Sequence, residues 1–465
     1  MIDFYHKYFK KSYRNKVIKM IADIERLLII ENVSVKRAPK TVLSNIYREE
    51  LTDVVWNKLN DLYYTLDVNG QTISETLKKF LIKTGSNSES DFRFIDTFAG
   101  CGGLSLGLSK SGFKPVLINE IEPKFAETYY FNHDLSLNSY FCGDIKELIE
   151  DVDFLSQKQF EDLDLIVGGP PCQGFSMANR QRILDDPRND LYKQFLKLLG
   201  QLRPKFFIME NVRGMMNKVE EIVENFGSVL GEGYTIRMLL LNARDFGVPQ
   251  NRERVFVIGT RIKEVDMDKM VSDIAKIKEH VKQYVLKDAL EGLPELFPKK
   301  EKNKSALESE RIGYKFREGI KAENEFLRLI GGSSEYLANH TNRFNNERDV
   351  EIFSRLPQGA NSLHPSIGDI MPYSSRNHMF KDKYFKLNES EVSKTITSHM
   401  KFDCNMYIHP TQPRGLSPRE AARIQTFPDD YVFMGANNNW YAQIGNAVPV
   451  KLAQVLGEQI MKHLH

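Results

Sequence analysis

Residues 92–262 predict an open α/β sheet, and three observations carry that prediction. Short apolar runs alternate with stretches of helical apolar spacing, which is the rhythm of repeated β-α units. A glycine-rich turn, Gly100-Cys-Gly-Gly103, joins the first run to the first of those stretches. Asp96, Glu120, Asp144, Cys172 and Glu210 all fall at or just past the ends of predicted strands, where ligands bind in such a sheet. One cleft can collect all five.

The elements follow in order. Phe92 to Asp96 reads as a strand, Gly100 to Gly103 as a tight turn, and Leu104 to Lys110 as a helix. A glycine turn that leads into a helix presents backbone N–H groups at the positive helix end, where an anionic ligand group can sit. Val116 to Glu120 reads as a second strand, and its closing acid stands where such folds hold ribose hydroxyls. These features indicate a nucleoside ligand and fit a dinucleotide equally well. The run from Phe160 to Val167 reads as a buried strand stopped by Gly168-Gly-Pro-Pro-Cys-Gln-Gly-Phe-Ser176, so Cys172 is delivered at a strand's carboxyl end. Pro170 and Pro171 restrict the approach to Cys172, and Gly174 leaves a point about which a loop can swing. By itself Cys172 also fits a small buried apolar residue. Leu191 to Leu202 has helical spacing, and Phe206 to Val212 reads as a strand that carries Glu210, a carboxylate costly to bury unless paired or used in chemistry. Tyr234 to Asn242 and Arg254 to Gly259 read as two further strands, joined through Gln250-Asn-Arg-Glu-Arg254.

Outside this region the pattern changes. Residues 1–88 read as mostly helical, and Gly85-Ser-Asn-Ser-Glu-Ser90 reads as a boundary. Lys7, Lys10, Lys11, Arg14, Lys16 and Lys19 are interleaved with aromatic residues in the first twenty positions, either as a solvated face over a small helical core or as a surface for DNA. From 263 to 394 the strand-and-helix rhythm gives way to charged turns, scattered helices and loop-like tracts. Ser417-Pro-Arg-Glu420 is a capping box with proline at the first helical position, and Val450 to about Leu464 reads as a closing helix.

A chain of 465 residues exceeds one core of ordinary size and predicts two or three domains. No apolar run reaches membrane-spanning length, and the basic N-terminus does not resemble a signal peptide, so a cytoplasmic protein is expected. The four cysteines have neither disulfide-framework nor zinc-site spacing, so no metal is expected. A net charge of +2 gives no argument about nucleic acid from the total.

The Pro-Pro-Cys loop at Cys172 resembles the nucleophile motif of the DNA (cytosine-5)-methyltransferases, and the other motifs of that family follow in its order. Asp96-x-Phe98-x-Gly100-x-Gly102-Gly103 is similar to its first motif, Glu210-Asn-Val to its acid motif, Gln250-x-Arg252-x-Arg254 to its paired arginines, Arg419 to Pro428 to its Arg-Glu-x-x-x-x-Gln-x-Phe-Pro signature, and Gln443 to Pro449 to its last motif. The match covers roughly 92–262 and 395–465.

The resemblance implies a Rossmann-like, S-adenosylmethionine-dependent domain at 89–262, completed by 395–465 (C-terminal motifs and closing helix). A target-recognition domain would occupy 263–394, and a helical extension 1–88. It implies cofactor contacts at Phe98, Ala99, Gly100, Gly102, Gly103, Leu104, Glu120, Ile121, Asp144, Ile145, Pro170, Asn446 and Val448. Cys172 would attack carbon 6 of a flipped-out cytosine, Glu210 would act at ring N3, and Arg252 and Arg254 would hold cytosine O2 and the closed cysteine loop. Ser176, Lys7, Lys10, Lys11 and Arg14 are the expected contacts to double-stranded DNA. A restriction-modification setting, with a separate cognate endonuclease and a monomeric enzyme, completes the expectation. Three competing readings are an RNA cytosine methyltransferase, a catalytically inactive DNA-binding relative, and, from residues 92–120 alone, an NAD-dependent oxidoreductase. The Cys172 and C-terminal motifs argue against the last, and the joint presence of Cys172, Glu210 and both arginines against the second. The length of the recognition region and the segment after Cys172 argue against the first.

Overall fold

The computed structural model describes residues 92–133, 139–171, 191–299, 321, 323–333, 337–372 and 383–464. Seven strands form one sheet in the order β3-β2-β1-β4-β5-β7-β6. They are β1 (Arg93–Thr97), β2 (Lys114–Asn119), β3 (Tyr140–Phe141), β4 (Leu165–Gly168), β5 (Phe206–Val212), β6 (Thr235–Asn242) and β7 (Glu253–Thr260). Pairing is parallel from β3 to β5, and β7 runs antiparallel between β5 and β6. The order reverses between β1 and β4, so a crevice is expected beyond their carboxyl ends.

Among the described residues, helices of six residues or more are α1 (Gly103–Lys110), α2 (Pro123–Asn132), α3 (Ile145–Glu150), α4 (Leu191–Leu202), α5 (Val219–Leu230), α6 (Met267–Lys276), α7 (Glu325–Ile330), α8 (Glu347–Arg355), α9 (Pro418–Ile424), α10 (Asn437–Asn446) and α11 (Val450–Met461). Successive strand residues point to opposite faces, and this period of two divides the core. Ile95, Ile166, Phe207, Met209 and Val257 pack against α2 to α5 through Tyr129, Leu148, Phe195 and Phe226. Phe94, Leu165, Phe206, Ile208 and Phe256 pack the other way, against Leu104 and Leu108 of α1, Met270 and Ile274 of α6, and Leu452 and Leu456 of α11. Each such side chain, buried completely, contributes about 1.5–3 kcal/mol. The C-terminal helix thus completes the layer begun by α1. Contact is close enough that a Cβ on Gly107 would lie 2.4 Å from the Val450 carbonyl oxygen.

Two expectations shift here. The strand expected from Phe160 begins only at Leu165, because Lys158–Phe160 is a 3-10 turn and Asp162 has a left-handed φ of 46°. Helix α6 lies beyond residue 263 yet packs on β6 and α11, so the sheet's outer layer extends past the boundary read from sequence.

A third core joins the sheet domain to the rest. Cys101 and Leu106 meet Phe326 and Ile330 of α7, Ile424 of α9, Phe427, and Trp440 and Ile444 of α10. Ser417 and Glu420 form the expected reciprocal capping box, and all seven residues of α9 are buried. Arg419 donates to the carbonyls of Ala338 (3.0 Å), Pro428 (2.9 Å) and Tyr431 (2.5 Å). Residues 431–434 run between two asparagines. Asn132 pairs with both backbone groups of Val432 at 2.7 and 2.8 Å, and Asn339 with both of Phe433 at 2.9 Å. Tyr431 also donates its hydroxyl to the Cys101 carbonyl, so one strap ties the glycine turn to Asn339 in the 263–394 segment.

Candidate active site

The carboxyl ends of β1 and β2 build the first half of the site. Phe98, Gly100 and Gly102 all have left-handed φ angles of 55°, 57° and 89°. For Phe98 that conformation is disfavoured and must be imposed by its surroundings. At Gly102 a Cβ would lie 2.6 Å from His133 Nε2 and 2.9 Å from Tyr129, whereas one on Gly100 would meet nothing within 4 Å. The turn is therefore packed behind and open in front.

Glu120 is buried at the edge of that opening. Its Oε2 accepts from the Gly100 N–H and its Oε1 from the Glu122 N–H, both at 2.7 Å. Burial raises its pKa, and the two backbone N–H groups only partly oppose this. Asp96 is more deeply enclosed: Oδ2 accepts from Ser105 Oγ at 2.5 Å, while Oδ1 has no hydrogen-bond partner among the described residues. Burial lifts the Asp96 carboxyl to about 7, with Ser105 opposing and Glu120 adding to the rise. Two buried carboxylates without a cation, one with an unmet oxygen, suit a ligand that brings hydroxyl or ammonium donors. Asn119 donates to the Phe141 and Gly143 carbonyls at 3.2 and 3.0 Å and so holds the next loop, where Asp144 caps α3 by accepting from the Lys146 N–H.

The second half lies across β4 and β5. Gly168 pairs with both Thr97 and Met209, which sets the ends of β1, β4 and β5 abreast. Glu210 emerges next. Its Oε1 is 3.0 Å from Arg254 Nε on β7, and its Oε2 would be 3.2 Å from a Cβ on Gly169. Asn211 donates to the Pro170 carbonyl at 3.1 Å. The strand that carries the acid therefore also holds the loop that leads into Cys172.

Cys172 itself, Ser176, Lys7, Lys10, Lys11 and Arg14 lie outside the described residues. Cys101, Cys142 and Cys404 are buried free thiols. Of the cofactor positions read from sequence, Phe98, Gly100, Gly102, Gly103 and Glu120 gather at the first opening, and Ile121 stands 53% exposed beside Glu120. Ala99 donates its N–H to the Asn119 carbonyl. The side chains of Leu104, Ile145 and Val448 are core members, leaving only their backbone for a ligand, and Asn446 is exposed at the end of α10.

Arg252, expected with Arg254 to hold cytosine O2 and the closed cysteine loop, lies against the C-terminal return. It is buried, and its guanidinium donates to the carbonyls of Ile396 (2.7 Å), Gly445 (3.1 Å) and Ala447 (2.9 Å). Gln250 does similar work: it donates to Gln425 Oε1 and accepts from the Ile396 N–H. Of this motif, only Arg254 reaches Glu210; the other two fasten the C-terminal return to the sheet. Sequence reading also passed over Arg213 and Glu253, which line a cleft of about 270 Å³ with Arg254. The signal was their positions, three residues after Glu210 and one before Arg254.

A mostly parallel sheet with two buried carboxylates at its switch point, and an arginine-held acid two strands away, defines a Rossmann-like α/β domain with its polar groups gathered at one end of the sheet. The particular family follows from comparison. The C-5 cytosine-specific DNA methylase model matches residues 92–462, and the chain belongs to that family. It is 31% identical over 417 residues to the type II methyltransferase M1.HphI of Haemophilus parahaemolyticus, covering 87% of this chain and 94% of that protein. It is 32% identical over 390 residues to the type II methyltransferase M.DdeI of Desulfomicrobium norvegicum, covering 79% and 88%. A solved structure from E. coli, assigned as a prophage-encoded DNA modification methyltransferase, matches with a TM-score of 0.61 at 26% identity, covering 80% of this chain and 99% of that one. The protein is a DNA (cytosine-5) methyltransferase.

Proposed function

We propose that the enzyme uses S-adenosylmethionine to methylate carbon 5 of a cytosine turned out of duplex DNA, with Cys172 as covalent nucleophile. The observation that carries this reading is Glu210, fixed by Arg254 with its second oxygen toward the Gly169 to Pro171 loop, two strands from the Asp96 and Glu120 pocket. Glu120 would accept the ribose hydroxyls, the turn from Phe98 to Gly103 would supply backbone N–H groups, and the unmet Asp96 oxygen would take a further donor. The cofactor supplies an electrophilic methyl group on a sulfonium.

Carbon 5 of cytosine is a poor nucleophile, so electrons must first be added to the ring. The Cys172 thiolate adds to carbon 6, forming a C–S bond, while Glu210 gives its proton to ring N3 and the ring becomes an electron-rich enamine. Carbon 5 is thereby made nucleophilic. After it is methylated, loss of the carbon 5 proton to a base breaks the C–S bond, restores the aromatic ring and releases the thiolate. The N3 proton returns to Glu210. Arg254 orients the acid and is assigned cytosine O2, whereas Arg252 acts through the segments it holds. Ser176 and the basic positions Lys7, Lys10, Lys11 and Arg14 are assigned to DNA phosphates. A monomeric, cytoplasmic modification enzyme paired with a separate endonuclease completes the reading.

Duplex DNA carrying 5-fluorocytosine at the target tests the chemistry, because fluorine cannot leave as a proton does. The expected result is a covalent adduct on Cys172 that Cys172→Ser abolishes while DNA binding persists. Adduct on a peptide containing Cys101, Cys142 or Cys404 would overturn the assignment. Bisulfite sequencing of DNA from expressing cells supplies the target site.

A further inference from the structure

We infer that Arg213 is a DNA-phosphate contact at the lip of the catalytic cleft, and that Glu253 occupies its guanidinium until DNA displaces it. This rests on the reading above that the target base approaches Glu210 and Arg254. Arg213 follows β5 directly, and its side chain is 62% exposed. Its Nη1 meets Glu253 Oε2 at 2.6 Å, and this is its only ion pair or hydrogen bond among the described residues. Glu253 is itself 37% exposed and, among the described residues, is the only acidic side chain lining the cleft.

A pair this open contributes little to folding, so stability does not account for it. Its placement gives a better reason. Glu253 and Arg254 both line the cleft: Arg254 is held by Glu210 at 3.0 Å and by the Glu253 carbonyl at 2.7 Å, whereas the Glu253 side chain turns to Arg213 at the exposed rim. Arg213 at that rim keeps most of its N–H donors unspent, in a planar fork that matches phosphate oxygens two at a time. A phosphodiester flanking an extruded base brings negative charge to this mouth, and Glu253 is the one group that would repel it. With the guanidinium parked on Glu253, the empty cleft carries no net charge at its lip. Transfer of the guanidinium to phosphate exchanges one weak surface pair for stronger charge-assisted bonds.

The test is equilibrium binding of the full chain to a target duplex over a salt series, for Arg213→Ala, Glu253→Gln and the double variant. Arg213→Ala should weaken binding about tenfold or more, as loss of a charge-assisted hydrogen bond does, and lower the slope of log affinity against log salt by about 1. Glu253→Gln should tighten binding up to about fivefold, the worth of the surface pair it removes. The double variant should bind less tightly than the unsubstituted chain but no more weakly than Arg213→Ala, because the unpaired Glu253 carboxylate is gone as well. If the two residues only brace each other, both single variants shift binding in the same direction, and that result, or an unaltered salt slope for Arg213→Ala, overturns the inference. Trapping of the unsubstituted chain on 5-fluorocytosine DNA is read alongside. Its failure would remove the base-access reading, while its success with the wrong binding pattern removes only the role of Arg213.

Discussion

Glu120 and Glu420 are both buried glutamates, and the difference between their surroundings separates a carboxylate left open to a ligand from one that braces the fold. Glu420 sits in α9 with a cation on it: Arg414 donates to its two oxygens at 2.6 and 2.8 Å, and the Ser417 N–H adds a third bond. Burial alone would raise its pKa, yet Arg414 and His409 hold the carboxyl far below the usual range. Among the described residues Glu120 has no cation for a partner, only backbone N–H groups such as those of Gly100 and Glu122, and its pKa rises. Asp96 beside it goes further, to about 7. A fold can bury an ion pair and remain closed, but a buried carboxylate left without a counter-charge keeps an unmet demand that a ligand can satisfy. The same contrast recurs within one motif, where Arg252 spends itself on three carbonyls and Arg254 keeps its acid.

The largest expected effect breaks the braced side. Arg414→Met leaves Glu420 buried without its cation and should lower unfolding free energy by about 3–5 kcal/mol, whereas the double variant with Glu420→Gln should recover much of that loss. Urea denaturation measures both, and a single-variant loss below about 1 kcal/mol would show that the pair is not structural. Glu420 also sets an acid limit. A carboxyl held below its unfolded pKa contributes stability above that pKa, and the contribution fades as pH falls toward the folded value.

The binding side should respond in the other observable. Glu120→Ala is expected to weaken S-adenosylmethionine binding by about 1–3 kcal/mol while costing much less folding stability than Arg414→Met. Calorimetric titration with unchanged affinity would remove Glu120 from the site.

Sequence reading reached the binding side more fully than the braced side, for physical reasons. Asp96, Glu120 and Glu210 are legible because an acid closing an apolar strand is an anomaly visible in a few consecutive letters, and the three strands that lead to them agree with the expected ones to within two residues. The partners of Arg252 are not local. Its acceptors lie 144 to 195 residues further along the chain, and nothing near an arginine in sequence says whether it will meet a carbonyl or a carboxylate. The segment from 263 to 394 was opaque for a related reason. Its core gathers Ile352 and Phe353 of α8, Ile367, Tyr384 and Ile408 from short pieces joined by isolated bridges such as Lys386 to Ile408, so no window carries a period. Helix α6 was hidden in another way, since its Asp-Met-Asp-Lys start reads as surface although Met267, Met270 and Ile274 line one buried face.

The smallest expected effect is a slope, and it sharpens the contrast most directly. Asp96 has a folded pKa of about 7 against an ordinary value of 3.8, so between those pH values the native state holds a proton that the unfolded chain has released. Stability from this group therefore falls as pH rises through that window, by at most about 1.4 kcal/mol per pH unit. That is the opposite sign to Glu420. Asp96→Asn keeps an acceptor for Ser105 Oγ, whose present bond is 2.5 Å, but cannot ionise. Its stability should lose the decline between about pH 4 and 7 and exceed that of the unsubstituted protein at pH 7 and above. Denaturation midpoints across that range, taken without cofactor, give the comparison. Parallel curves would show that Asp96 ionises normally and that its buried oxygen makes no demand. Flattened stability with weakened cofactor binding would show one carboxylate held at a cost to the fold for the sake of the ligand.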